Sequence, residues 1–600
     1  MKDELKNLIE MYNKQEFAKA INYANFLNNK YPKKSIVYNI LGAIYTKGKS
    51  FDDAIINYKE AVKLDPKNSE IYNNLGVAYK LNYQTEEAIN QLKKAIKINN
   101  NYPEAYYNLG NSYNELGDFN TAEKYYKKAI KFKPNYAEAY NNLCVSLNFQ
   151  KKYQESLDSI KMAIHFKHNY SEAYKNLGLV LVNLNKFGEA IESYRKAISI
   201  NPNYSAAYSE LCDYYERNND LANLNKILIE FSSNVDKQDS LLIFRKAQLA
   251  SREKNFSEIV SLLENMSLEG LSNSIKTKRL ELLAKTYDKI GKYDSAYEII
   301  KQNNSFVKSI PKNKSYSGYK YRKNIELIIK SYKNDFVRNL HIQESENHHD
   351  NLVFLIGFPR SGTTLLDTIL SSHKNIKTIE EMPMVNKIKN HLGFTLTSKK
   401  LSKLETKKIE KCREIYFSEL SNHIDTKDRE KTLIDKLPLN IIDVGLINTI
   451  FPKSKFILVL RHPCDTVLSC LMQSFDINDA MANFLDLNDT AELYNLVMTL
   501  WKVFEERLEL NFHVIKYENL IDGLEKETTS LLNFLGLEWE ESLKNYQKTA
   551  LLKKSKTPSY NQVTEKLYKV SQNRWRNYDS KIYPVLPLLE KWIKTWDYKL

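Results

Sequence analysis

The sequence predicts a multidomain chain: an all-α superhelix of repeated helical pairs, then an α/β, P-loop-like domain built on a central parallel sheet. Two observations carry this reading. Small and apolar residues recur every 34 positions through roughly the first 215 residues. Beyond residue 350, apolar runs end in turns bearing glycine or arginine that open onto helical patterns, the alternation of a parallel sheet. At 600 residues the chain is also too long for one domain.

The repeats come first. Leu41-Gly42, Leu75-Gly76, Leu109-Gly110, Leu143-Cys144, Leu177-Gly178 and Leu211-Cys212 are evenly spaced. Ala20, Ala54, Ala88, Ala122, Ser156 and Ala190 form a second series, and Pro32, Pro66, Asn100, Pro134, His168 and Pro202 a third. Small residues at two slots let paired helices cross closely. Proline opens the next helix, where its missing N–H costs little. The pattern resembles the tetratricopeptide repeat. That resemblance implies a right-handed solenoid, since no unit buries its apolar face alone. Cys144 and Cys212, in the glycine slot, read as buried packing residues. The array is expected to bind a protein or peptide; stiffening the chain or pairing it as a homodimer is the alternative. The amides at Asn73-Asn74, Tyr107-Asn108, Asn141-Asn142 and Lys175-Asn176 are candidate partners for an extended peptide backbone.

Residues 216–345 keep helical spacing in Leu221–Phe231, Leu241–Ala250, Phe256–Leu263 and Lys278–Ile290 but lose the consensus. They read as divergent helical repeats and a linker, and His348-His349 as a solvated pair.

The third region, 346–600, opens on Asn351–Ser372. Leu352 to Ile356 suit a buried parallel strand. Gly357 to Gly362 have the spacing G-x-x-x-x-G-[KST]-[ST], followed by Leu365, Leu366, Ile369 and Leu370 at helical spacing. Such a loop wraps an anion in backbone N–H groups. Thr363 stands where a nucleoside-triphosphate hydrolase has lysine, and Arg360 supplies a fork of donors instead. Pro359-Arg360-Ser361-Gly362-Thr363-Thr364 resembles the 5′-phosphosulfate loop of sulfotransferases that use 3′-phosphoadenosine 5′-phosphosulfate (PAPS), in particular bacterial relatives of the tyrosylprotein sulfotransferases.

That resemblance orders the later motifs. Glu380-Glu381, before Met382-Pro383, offers a base to take the acceptor's proton; Glu381 is preferred and Glu380 remains open. Lys436, in Asp435-Lys436-Leu437-Pro438, resembles the family's catalytic lysine, suited to charge on the transferring group and the leaving oxygen. Asn440 is expected to begin the next helix. Phe456 to Leu460 form another buried strand, and Arg461-His462-Pro463 through Ser469 resemble the 3′-phosphate site, with Arg461 and Ser469 as receptors. Asp465 is expected to cap the following helix. His462 is weighed as a catalytic histidine, and Tyr517-Glu518 as a brace of the pocket. Near the C-terminus, Ser571 and Arg574 are candidate phosphate contacts, and Trp575 either packs this segment or stacks on adenine.

The bulk properties narrow the classes. A net charge of +15 is spread over lysine-rich helical repeats, without the clustered stripe a nucleic-acid binder needs. Five cysteines without C-x-x-C spacing argue for a reducing compartment and against a zinc site or disulfide scaffold. No signal-like or membrane-spanning apolar run is evident, so a cytoplasmic bacterial enzyme is expected. The reading is therefore a PAPS-dependent sulfotransferase, needing no metal, that acts on a hydroxyl acceptor: a protein tyrosine, a glycan or a metabolite. A P-loop kinase and a repeat scaffold with an inactive transferase domain are the alternatives.

Overall fold

The computed structural model describes residues 1–218, 220–334, 351–547, 549 and 572–600. It divides into two compact units, Met1–Leu271 and Ser272–Leu600. This division falls within the stretch that the sequence assigns to divergent repeats, and residue 345 lies outside the described residues.

The first unit is a run of helical hairpins, from Lys2–Asn13 with Phe17–Lys30 to Ser240–Arg252 with Phe256–Glu264. Local chemistry sets the ends. Pro103 sits in the first turn of Pro103–Glu115, and the Asp118 carboxylate accepts the Thr121 N–H at 3.1 Å to start Phe119–Phe132. Packing explains the glycine slot. A Cβ on Gly42, Gly110 or Gly178 would lie 2.6, 2.6 or 2.4 Å from the ring of Tyr58, Tyr126 or Tyr194. Where Cys144 and Cys212 replace glycine, the matching positions are the aliphatic Ile160 and Leu228. Both thiols are buried, and burial pushes them up to about 11 and about 12.

The repeated asparagines do not wait for a peptide backbone. Nδ2 of Asn74 donates to Oδ1 of Asn39 at 3.2 Å, Asn108 to Asn73 at 2.9 Å, and Asn176 to Asn141 at 2.8 Å. Asn142 donates to Asn111 at 2.8 Å and to the Tyr107 hydroxyl at 3.2 Å. Asn73, Asn141 and Asn176 are buried. The expectation is corrected: these amides form a ladder that ties one repeat to the next.

The second unit begins with a hairpin, Asn273–Lys289 and Tyr293–Ser309, and the helix Gly318–Asn334. Five strands follow: β1 (Leu352–Gly357), β2 (Ile376–Glu380), β3 (Thr432–Lys436), β4 (Lys455–Leu460) and β5 (Asn511–Lys516). They form one parallel sheet in the order β2-β3-β1-β4-β5. Residues of β1 are all buried, as are those of β4 after Lys455, which accounts for their continuous apolar runs. Val353, Leu355, Ile434, Ile457 and Val459 pack with Leu366, Ile369 and Leu370 of the helix Thr363–Leu370.

Ile376–Glu380 forms the edge strand β2. Two local expectations change. Asn440 lies inside the 3-10 turn Pro438–Asp443, and the helix proper is Val444–Ile450. Asp465 does not cap its own helix, Pro463–Leu471, because its carboxylate is engaged by the chain near the C-terminus.

Candidate active site

Parallel strands bring their carboxyl ends to one edge, where crossover loops leave room for a ligand. The candidates sit there: the loop Gly357–Gly362 after β1, Glu380 and Glu381 at the end of β2, Lys436 at the end of β3 and Arg461 directly after β4. β1 lies centrally between β3 and β4, so its loop faces motifs from both.

The loop is shaped by backbone that side chains rarely permit. Gly362 has φ +105°, and a Cβ there would lie 2.4 Å from the Tyr517 ring. A Cβ on Gly357 would lie 2.7 Å from the Val459 carbonyl oxygen. Arg360 is itself left-handed, at φ +68°, a conformation that costs energy outside glycine. Its Nε donates to Ser469 Oγ at 3.1 Å, and its own carbonyl accepts from Arg461 Nη1 at 3.2 Å. The Cys470 thiol, buried and pushed well above its ordinary range, donates to the Pro359 carbonyl at 3.2 Å. The two candidate anion-binding motifs, after β1 and after β4, are thus joined through Arg360. Burial, and then the nearby charges of Arg461 and Arg574, lower Arg360 to about 10, so it stays charged at neutral pH.

Lys436 is fully buried. Register sets its partners: Glu380 is opposite Lys436 in the β2–β3 ladder, and the Glu381 N–H donates to the Lys436 carbonyl at 2.8 Å. Lys436 Nζ then reaches Glu380 Oε1 at 3.1 Å and Glu381 Oε1 at 2.9 Å. Burial works against the ammonium, but Asp367, Glu381 and Glu380 outweigh it and hold Lys436 above the usual lysine range. The Glu381 side chain is 42% exposed and that of Glu380 14%, so Glu381 is the more open to an acceptor. Glu381 also adopts a left-handed backbone, φ +54°. Asp367, fully buried on the loop helix, was missed from the sequence; a carboxylate amid Leu365, Leu366 and Ile369 was the signal available.

Around the second pocket, Arg461 lies over the Tyr517 ring at 5.0 Å. Glu518 accepts from the His462 N–H at 2.9 Å and from the Tyr598 hydroxyl at 3.0 Å, so it braces the residue after Arg461. The His462 ring stacks on Trp575 at 5.3 Å and meets the Lys599 carbonyl. Burial lowers its pKa, leaving a neutral packing imidazole at pH 7. Trp575 is correspondingly buried against His462. Arg574 ion-pairs with Asp288 at 2.8 Å. Ser571 lies outside the described residues.

The donor set suits a phosphorylated ligand. Ser361 Oγ and Asn440 Nδ2 are buried with no hydrogen-bond partner among the described residues. Loop amides, Thr363 and Thr364 at the helix start, and three guanidiniums supply charge-assisted donors.

Residues 352–541 match the sulfotransferase family. Residues 103–136 and 171–204 match the tetratricopeptide repeat, and residues 42–82 and 84–117 a second TPR-repeat family. The chain therefore carries tetratricopeptide repeats ahead of a sulfotransferase-family domain. An uncharacterized protein of Aquifex aeolicus (strain VF5) is 27% identical over 324 residues, 52% of this chain and 41% of that one. Protein-tyrosine sulfotransferase A of Caenorhabditis elegans is 25% identical over 215 residues, 34% of this chain and 54% of its own. Protein-tyrosine sulfotransferase 2 of Gallus gallus is 23% identical over 266 residues, 42% of this chain and 66% of its own. Each match spans less than two thirds of the relative. Among the described residues no helix is long and apolar enough to cross a membrane.

Proposed function

We propose that the second unit transfers a sulfuryl group from PAPS to a hydroxyl acceptor, with a protein tyrosine as the favoured class. The observation that carries this reading is the convergence of Arg360, Lys436 with its two carboxylates, and Arg461 with Ser469 at one sheet edge. In this reading the loop amides and Arg360 take the 5′-phosphosulfate, and Arg461 and Ser469 the 3′-phosphate. Arg360 yields its bond to Ser469 when the nucleotide arrives.

The acceptor oxygen then bonds to sulfur while the bond between sulfur and the 5′-phosphate oxygen breaks. Glu381 takes the acceptor's proton, and Glu380 is the second candidate for that task. Lys436 turns from its carboxylates toward the bridging oxygen and stabilises the charge that collects there. Adenosine 3′,5′-bisphosphate leaves. Thr363 in the lysine position of the loop disfavours the kinase alternative. The tetratricopeptide repeats support binding of a protein or peptide, in our reading the acceptor or its carrier.

The test is transfer of labelled sulfate from PAPS to tyrosine-bearing peptides and to a cell extract. Label in protein that disappears in Lys436→Ala is expected. Failure of the wild-type chain to bind PAPS or adenosine 3′,5′-bisphosphate overturns the reading. Label confined to glycan or metabolite fractions keeps the donor and overturns the tyrosine acceptor.

A further inference from the structure

A third guanidinium, Arg574, is held by contacts between residues far apart in the chain. The N–H groups of Asn573 and Trp575 donate to the two carboxylate oxygens of Asp465 at 2.8 and 2.9 Å. Arg574 thus stands between two residues pinned to the first turn of the helix that carries Ser469. Its side chain meets Asp288, with Nη2–Oδ2 at 2.8 Å and Nε–Oδ1 at 3.2 Å. Asp288 belongs to the last turn of Asn273–Lys289, in the repeat-like hairpin. The Tyr578 hydroxyl donates to the same carboxylate at 2.7 Å. The hairpin also holds the far end of the Ser469 helix, where Asn304 Nδ2 donates to the Leu471 carbonyl at 3.2 Å.

This pairing engages the Nε/Nη2 edge of the guanidinium. The remaining N–H groups, on Nη1 and Nη2, form a second edge that can take another anion. The His462 ring, next to Arg461, stacks on Trp575, next to Arg574, at 5.3 Å, and Arg574 adds to the lowering of Arg360 as Arg461 does. Three like charges repel, and without a counter-charge a flexible arginine swings to solvent. Asp288 offsets that repulsion and fixes the angle of the fork.

We propose that Asp288 is a positioning residue for the nucleotide: it clamps one edge of Arg574 so that the other edge meets the 3′-phosphate beside Arg461. The hairpin ahead of the sheet is then part of the binding site. This rests on the PAPS reading above. The test is calorimetric titration of the full chain with adenosine 3′,5′-bisphosphate and with adenosine 5′-monophosphate. Asp288→Asn is expected to weaken the bisphosphate by about tenfold and leave the monophosphate unchanged. Arg574→Gln should show the same selective loss, and the double variant no more than Arg574→Gln alone. Tyr578→Phe, which removes the other bond to Asp288, should leave the ratio of the two affinities at its wild-type value. Equal weakening of both nucleotides, tighter bisphosphate binding, or a Tyr578→Phe loss as large as that of Asp288→Asn overturns the clamp. A wild-type chain that binds neither nucleotide brings down the PAPS reading and the clamp together. Tight wild-type bisphosphate binding that Asp288→Asn leaves unchanged brings down the clamp alone.

Discussion

The repeats and the sheet edge both bury polar side chains, and they treat them in opposite ways. In the repeats, buried carboxamides meet others one repeat away, Asn73 with Asn108 and Asn141 with Asn176, and the lapses there, Asn28 Oδ1 and Glu216 Oε2, lie outside that ladder. At the sheet edge, guanidiniums gather near one another, and Ser361 Oγ and Asn440 Nδ2 have no partner among the described residues. A scaffold satisfies its buried polar groups internally, because each lapse costs stability. A ligand site tolerates the cost, because the missing partner comes from outside. The same residue type thus carries opposite meanings: Asn176 holds the array together, whereas Asn440, in the turn after β3, keeps its Nδ2 without a partner among the described residues.

Substitutions at the two regions should divide along that line. The largest effect is expected at the sheet edge. Lys436→Ala should lower turnover by roughly a thousandfold while nucleotide affinity, read by calorimetry, changes far less. Equal losses in turnover and affinity would make Lys436 a binding group only. Next, Glu381→Gln should cost about a hundredfold in turnover, and Glu380→Gln clearly less. The reverse order would assign the proton to Glu380. Neither change should lower the midpoint of thermal unfolding by much, since both carboxylates keep some exposure.

In the repeats the readout is stability, and activity toward a small phenol should stay level. Gly178→Ala puts a methyl 2.4 Å from the Tyr194 ring and should cost about 1–3 kcal/mol in chemical unfolding. Gly188→Ala, with no atom within 4 Å, should be neutral or stabilising by up to about 1 kcal/mol. Asn176→Ala should cost about 1 kcal/mol, for the bond to Asn141. A large loss of transfer activity to a small phenol from Asn176→Ala would erase the distinction between the regions.

How much of this was legible in the sequence follows from how far each interaction reaches. The 34-residue period exposed the hairpins because every repeat solves the same local packing problem. β1 and β4 showed themselves as apolar runs because both their faces are covered. The strand β2 did not, because Lys377 and Thr378 interrupt its apolar residues at an edge of the sheet. Glu381 and Lys436 were each picked from a motif, but their ion pair depends on a β2–β3 register that joins residues 55 positions apart. The link from Arg574 to Asp288 spans 286 positions and leaves no periodic trace. Asp465 was misjudged for a related reason, since a carboxylate in a first helical turn ordinarily serves its own helix.

The aromatic ring laid on a bare Cα has a consequence for how such an array changes over time. Tyr194 fits only because position 178 has no side chain, while Leu228 and Cys212 share one buried core cluster. Large and small are therefore inherited as couples, and exchanging a lone helix between neighbours would bring bulk against bulk or leave a void. Whole hairpins are the currency of duplication and loss here, which lets the array lengthen or shorten without redesign of its interior.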